Sequence, residues 1–130
     1  VTRLLLLADE APLRRAVERA LVSFGYEVAS AGDPSSAYLL LSERQFDALV
    51  LDLHLPNLLG DAFYFAVVRH WPHLRGRVVL LGGDSCAGAE SWPDELRDCP
   101  MLVKPFTLEL LARTVAAILE PADRRRTNGL

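Results

Sequence analysis

The sequence predicts an α/β domain built on a doubly wound, five-stranded parallel sheet, and two observations carry that prediction. Short apolar runs alternate with stretches of helical period, and no two-residue hairpin signal joins one run to the next. Continuous apolar runs are the pattern of strands covered on both faces, and helix-length connections between them imply parallel pairing through right-handed crossovers. With 130 residues, 51% of them hydrophobic, the chain has the size of one domain and enough apolar surface for a core without metals or disulfides.

Leu4 to Ala8 forms the first buried run. Leu13, Val17, Ala20, Leu21 and Phe24 then recur at helical spacing, with Pro12 suited to a first turn and Gly25 to the position past the end. Tyr26 to Ser30 is a short second strand. Asp33-Pro34 supplies an N-cap and a first-position proline for a helix carrying Ala37, Leu40 and Leu41. Ala48 to Leu51 is a third strand that stops at Asp52. After the turn Leu55-Pro56-Asn57, residues Phe63, Val67 and His70 share a helical face that Pro72 ends. Arg77 to Leu81 is a fourth strand closed by Gly82-Gly83. Between Asp84 and Asp98 the pattern is least regular, and only Ser91 to Asp98 reads as a short or distorted helix. Met101 to Val103 is the fifth strand, and Thr107 caps a last helix bearing Leu111, Val115, Ile118 and Leu119 before Pro121. Residues 1–121 thus read as one unit and 122–130 as a polar tail or the start of a linker. The absent initial methionine and the Arg124-Arg125-Arg126 tail fit a domain excised from a longer protein and a free-standing protein with a processed start equally well.

Composition excludes several roles. A formal net charge of −3 gives no basic field for a phosphate backbone, so nucleic-acid binding by this segment is not expected. The apolar start is far shorter than the roughly 20 residues a span needs and meets Asp9-Glu10 at once, so no membrane partner is expected. Cys86 and Cys99 have no metal-ligand spacing, and two thiols in a well-cored domain read as reduced and cytoplasmic.

Strands one, three and five each run into a polar residue: Asp9 after Ala8, Asp52 after Leu51, Lys104 after Val103. Parallel strands all point one way, so these side chains emerge at the carboxyl edge, where open α/β sheets bind ligands. Two carboxylates held close repel unless a cation lies between them, and a hard divalent ion with oxygen ligands, Mg²⁺, suits the position. An ionised carboxylate beside a metal and a lysine can attack phosphorus, because the cations neutralise charge gathering on the transferring oxygens. Asp52 is then the nucleophile.

In Leu-Leu-Leu-Leu-Ala-Asp-Glu at residues 4–10, Leu-Asp-Leu-His-Leu-Pro-Asn-Leu-Leu-Gly at 51–60 and Val-Lys-Pro-Phe at 103–106, the chain resembles the receiver domain of two-component response regulators. The resemblance covers residue 3 to about 120. It implies a flavodoxin-like sheet of strand order 2-1-3-4-5 and phosphoryl transfer from a sensor histidine kinase or phosphotransfer protein to Asp52. It also implies Mg²⁺ held by Asp9, Asp52 and the backbone carbonyl of His54, with Lys104 paired to the phosphoryl group and a cis bond before Pro105. Such a domain is a signalling module, not an enzyme, and the face formed by the last strand and helix is a possible homodimer surface. The Gly82-Gly83-Asp84 loop and the late Val-Lys-Pro-Phe resemble receivers attached to hybrid sensor kinases more than free regulators.

The chain departs from the family pattern in three places. Of the two adjacent acids expected after strand one, Ala8 replaces the first and Asp9 keeps the second, the direct metal ligand. Gly82 stands where a threonine or serine hydroxyl grips the phosphoryl group, with Ser85 three residues on in a Gly-rich loop. Met101 stands where the aromatic switch residue is expected. A swing of hydroxyl and aromatic therefore cannot relay the signal, and a degenerate receiver that binds a partner without phosphorylation is the rival reading.

Other candidates carry weaker arguments. His54 and Asp84 fall at positions that tune water access in receivers, and both also read as solvated loop residues. His70 and His73 flank a helix end, where a histidine suits the dipole without a ligand role. Phe63, Tyr64 and Phe65 point in different directions, so core packing explains at least one. A phosphatase of the haloacid dehalogenase type needs a second carboxylate two residues past the nucleophile, where this chain has His54. A flavodoxin-like flavin binder needs a Ser/Thr-rich loop after strand one, where it has Asp9-Glu10.

Overall fold

The computed structural model describes residues 2–52, 60–82 and 99–119. Their elements run β1 (Arg3–Leu7), α1 (Ala11–Ser23), β2 (Glu27–Ala31), α2 (Pro34–Glu43), β3 (Ala48–Asp52), α3 (Gly60–His70), a 3-10 turn (Pro72–Leu74), β4 (Val78–Gly82), β5 (Met101–Val103) and α4 (Leu108–Leu119). The five strands form one sheet in the order β2-β1-β3-β4-β5, every adjacent pair parallel. This is the doubly wound arrangement expected from the alternating pattern. The expected helix over Ser91 to Asp98 lies outside the described residues.

Alternation along the strands divides the core in two. Leu5, Leu7, Leu49, Leu51, Val78 and Leu80 face one side and pack with Ala37 and Leu41 of α2 and Phe63, Tyr64 and Val67 of α3. Leu4, Leu6, Ala48, Val50, Val79 and Leu81 face the other and pack with Val17 and Leu21 of α1 and Leu111 and Val115 of α4. Each of these strand residues is 0% exposed, and full burial of a leucine side chain stabilises by about 1.5–3 kcal/mol relative to exposure. Burial on both faces explains why the strand sequences run apolar without a break.

The element ends differ from expectation by single residues, each for a hydrogen-bonding reason. β1 starts at Arg3, whose N–H donates to Asp47 Oδ2 (2.8 Å), and beyond Leu7 the Ala8 N–H still donates to the Ala31 carbonyl (3.1 Å). β2 starts at Glu27, not Tyr26, because the Tyr26 N–H closes the end of α1 on the Leu21 carbonyl (3.2 Å). Gly25 supplies the turn between them at φ +98, a left-handed conformation that favours glycine. The Arg77 N–H closes a turn on the Leu74 carbonyl (2.9 Å), which delays β4 to Val78, and pairing of Gly82 with Val103 of β5 carries its far end to Gly82. Two predicted caps form: Asp33 accepts from the Ser36 N–H (2.8 Å), and Thr107 Oγ1 from the Leu110 N–H (3.0 Å). No helix among the described residues is long and apolar enough to cross a membrane.

Candidate functional site

The register fixes what gathers at the carboxyl edge. Leu7 pairs with Leu51, Asp52 with Leu81 and Gly82 with Val103. Asp9 therefore follows the end of β1, Asp52 ends β3, and Lys104 follows β5, all on one side of the sheet. β3 is central and buried throughout, which carries the Asp52 carboxyl to 0% exposure. A charged group so placed needs compensation, and Lys104 supplies it: Nζ donates to Asp52 Oδ1 at 2.9 Å.

Lys104 is held for that contact through its backbone. Its N–H donates to the Gly82 carbonyl at 2.7 Å, tying the β5 end to the β4 end. The Lys104–Pro105 peptide is cis, as the resemblance implies. The ammonium remains partly accessible, with the side chain 23% exposed.

Asp9 lies two residues past β1 and is exposed. The sequence places it at the same edge as the Asp52–Lys104 pair, and the structure agrees; the direct contact is between Asp52 and Lys104. Gly82 is buried in the last position of β4 and brings no hydroxyl to the edge. Met101 is half-buried and packs against the core cluster that contains Leu80 and Cys99. His54, Asp84 and Ser85 lie outside the described residues.

The donor chemistry fits Mg²⁺. Among the described residues no cluster of three or more His, Cys, Asp or Glu side chains could hold a metal. Mg²⁺ takes one or two carboxylates and completes its shell with carbonyl, phosphoryl and water oxygens. Asp9 and Asp52, at the ends of neighbouring strands, would supply that number.

Reasoning from the sequence missed two contacts. Arg14 on α1 donates from Nη1 to the Ala8 carbonyl (2.8 Å) and, more weakly, to the Asp9 carbonyl (3.4 Å). No spacing rule marks an arginine that bonds backbone. His73 Nε2 lies 2.8 Å from the Phe46 carbonyl, which gives it a structural task at the opposite edge. His70 is exposed and sits among Tyr38 and Trp71, with ring centroids 6.4 Å and 5.6 Å away. Phe63 and Tyr64 are core, as packing requires. Beside Lys104 an apolar cavity of about 340 Å³ opens, lined among others by Leu13, Val17, Pro105, Phe106 and Leu108.

A parallel α/β sheet with an acid buried at its carboxyl edge and a lysine bonded to it defines a phosphoacceptor-type signalling domain. The chain belongs to the response regulator receiver domain family, whose model matches residues 4–116. It is 29% identical over 117 residues to the response regulator receiver protein CpdR of Brucella abortus, covering 90% of this chain and 96% of that protein. It is 34% identical over 121 residues to the transcriptional regulatory protein PrrA of Mycobacterium tuberculosis, covering 90% of this chain and 49% of that protein. The chain thus spans nearly all of one curated relative and about half of the other. Among solved structures, the receiver domain from the hybrid histidine kinase CckA superposes with a TM-score of 0.72 at 25% identity, over 91% of this chain and 99% of that one. Receiver domains are signalling modules that use Mg²⁺ at an acidic site, so the family and the donor set agree.

Proposed function

We propose that this domain accepts a phosphoryl group on Asp52 from the phosphohistidine of a sensor kinase or phosphotransfer protein. The observation that carries the reading is the 2.9 Å bond between Lys104 Nζ and the buried Asp52 carboxylate. An Asp52 oxygen attacks phosphorus, the P–N bond to imidazole breaks, and the departing imidazole takes a proton from solvent. The products are an acyl phosphate and a neutral histidine. Lys104 follows the charge from carboxylate to phosphoryl oxygen, a short shift for a flexible stem. Asp9, Asp52 and the His54 carbonyl would hold Mg²⁺, which when bound would supply positive charge to the transferring phosphoryl group. The apolar cavity beside Lys104 offers the phosphodonor's helix a hydrophobic anchor next to the acceptor.

In this reading the receiver unit is 1–121 and residues 122–130 are tail or linker. Gly82 and Met101 replace the usual hydroxyl and aromatic, so the signal passes through the segments around Gly82 and Ala87 to Trp92 rather than by that swing. His54 and Asp84 set the lifetime of the acyl phosphate through water access. The domain acts on a protein partner, with the β5–α4 face as its homodimer surface.

Gly82 favours a second reading, a pseudo-receiver that binds its partner unphosphorylated, since no hydroxyl at that position can grip a phosphoryl group. The test is intact mass after incubation with acetyl phosphate and Mg²⁺, with Asp52→Asn as control. A gain of one phosphoryl in the wild type alone supports the first reading. No gain at saturating donor moves the assignment to the second.

A further inference from the structure

We propose that Arg14 is a positioning residue of the phosphoacceptor site, fixing the turn that presents Asp9 to the divalent ion. The inference rests on the phosphoacceptor reading. The turn between β1 and α1 lacks the usual restraint at its far end: Glu10 occupies the N-cap of α1 and makes no side-chain cap bond there. Arg14, one turn into α1, folds back instead. Its Nη1 donates to the Ala8 carbonyl at 2.8 Å and reaches the Asp9 carbonyl at 3.4 Å, so the two residues that carry the acid are bonded to the helix that follows them.

The seat of the guanidinium is closed from the other side. A Cβ built on Gly32, in the turn after β2, would lie 3.2 Å from Arg14 Nη1 and 4.0 Å from the Ala8 carbonyl oxygen. The glycine leaves room for the arginine, and the arginine spans the ends of β1 and β2. Ala8 gives this a consequence specific to the chain. Without a carboxylate at residue 8, the metal-facing acids of the turn reduce to Asp9, and the orientation of one exposed carboxylate depends on how firmly its backbone is held.

Two physical effects of Arg14 on divalent binding have opposite signs, which makes the role testable. As a nearby cation, Arg14 repels a divalent ion, so its removal would tighten binding. As a positioning residue it keeps Asp9 in place, so its removal loosens binding. We hold that positioning dominates, because the guanidinium engages carbonyls and not the carboxylates.

The test is Mn²⁺ binding to the unphosphorylated chain, followed by electron paramagnetic resonance of the free ion, with thermal unfolding as the folding control. Arg14→Ala is expected to weaken Mn²⁺ binding about tenfold. Arg14→Lys, which keeps one donor within reach of Ala8, restores part of the loss. Gly32→Ala displaces Nη1 without touching the charge and is expected to weaken binding in the same direction by a smaller factor; it carries the test if Arg14→Ala does not fold. Unchanged or tighter binding in Arg14→Ala, or in Gly32→Ala where it carries the test, overturns the proposal. Asp9→Asn separates the two levels: if the wild type binds no Mn²⁺, or Asp9→Asn binds as tightly, the phosphoacceptor reading fails and this inference with it. If Asp9→Asn weakens binding and the Arg14 and Gly32 variants do not, Arg14 alone is misassigned.

Discussion

Lys104 and Asp52, 52 positions apart in sequence, meet through a 2.9 Å bond between Nζ and Oδ1 at the carboxyl edge of the sheet. The carboxylate is wholly buried and the ammonium mostly so. Removing the cation leaves a buried charge with less compensation than it had. Lys104→Met is therefore expected to lower stability by about 1.5–3 kcal/mol, read as a lower urea midpoint with an unchanged slope. Adding Asp52→Asn to Lys104→Met is expected to recover most of that loss, because the buried charge that Lys104 faced is gone. An additive double variant would show that the bond contributes nothing.

Chelation tests the metal separately from the lysine. With EDTA present, incorporation of phosphoryl from acetyl phosphate is expected to fall about a hundredfold or more, since a bound divalent ion supplies several kcal/mol of charge stabilisation in phosphoryl transfer. Excess Mg²⁺ should restore it. Intact mass against time gives the rate in each case, and a rate indifferent to chelator would remove Mg²⁺ from the mechanism.

The strands were legible because both faces of the sheet are covered, which turns Leu4 to Leu7 and Ala48 to Leu51 into unbroken apolar runs. The edge site was legible for a topological reason: in a parallel sheet, the residue after each strand must lie at one edge, so Asp9, Asp52 and Lys104 could be grouped without coordinates. Strand limits were less so. Whether Tyr26 or Glu27 begins β2 depends on which carbonyl takes the Tyr26 N–H, a choice that composition does not encode. Arg14 was illegible for a related reason, since its partners are backbone carbonyls and leave no mark on the spacing of side chains.

Asp33 gives a pH dependence with a definite sign. Bonds from the Ser36 N–H and the Ser36 hydroxyl stabilise its carboxylate and lower its pKa below the ordinary 3.8. A carboxylate whose pKa is depressed by folding contributes stability that is fully present above the unfolded value and is lost as pH falls through the folded one. The contribution from Asp33 is thus intact above about pH 4 and disappears in the acid range below 3.8. Asp33→Ala is expected to lower the thermal midpoint at pH 7 and to converge on wild type as the pH drops below that range. A constant gap across the acid range would mean that the cap does not depend on its charge.

Gly82 brings no hydroxyl to the carboxyl edge, and adding one there asks how much its absence matters. The Gly82 carbonyl already accepts from the Lys104 N–H at 2.7 Å, so the backbone at this position is fixed by β5 and a side chain added there starts from the strand end beside the acid–lysine pair. A hydroxyl in that place can donate to a phosphoryl oxygen, and one charge-assisted bond formed in the transition state is worth roughly 1.5–3 kcal/mol, or about ten- to a hundredfold in rate. Gly82→Ser is therefore expected to raise the rate constant for phosphorylation by acetyl phosphate by at least about tenfold, with Asp52 still the modified residue. Gly82→Ala separates the hydroxyl from the added Cβ. If alanine accelerates as much as serine, the gain comes from a stiffer strand end and not from a phosphoryl contact. If serine accelerates alone, the native glycine keeps the acceptor slow, and Lys104 and the metal carry the transfer without a third grip on the phosphoryl group.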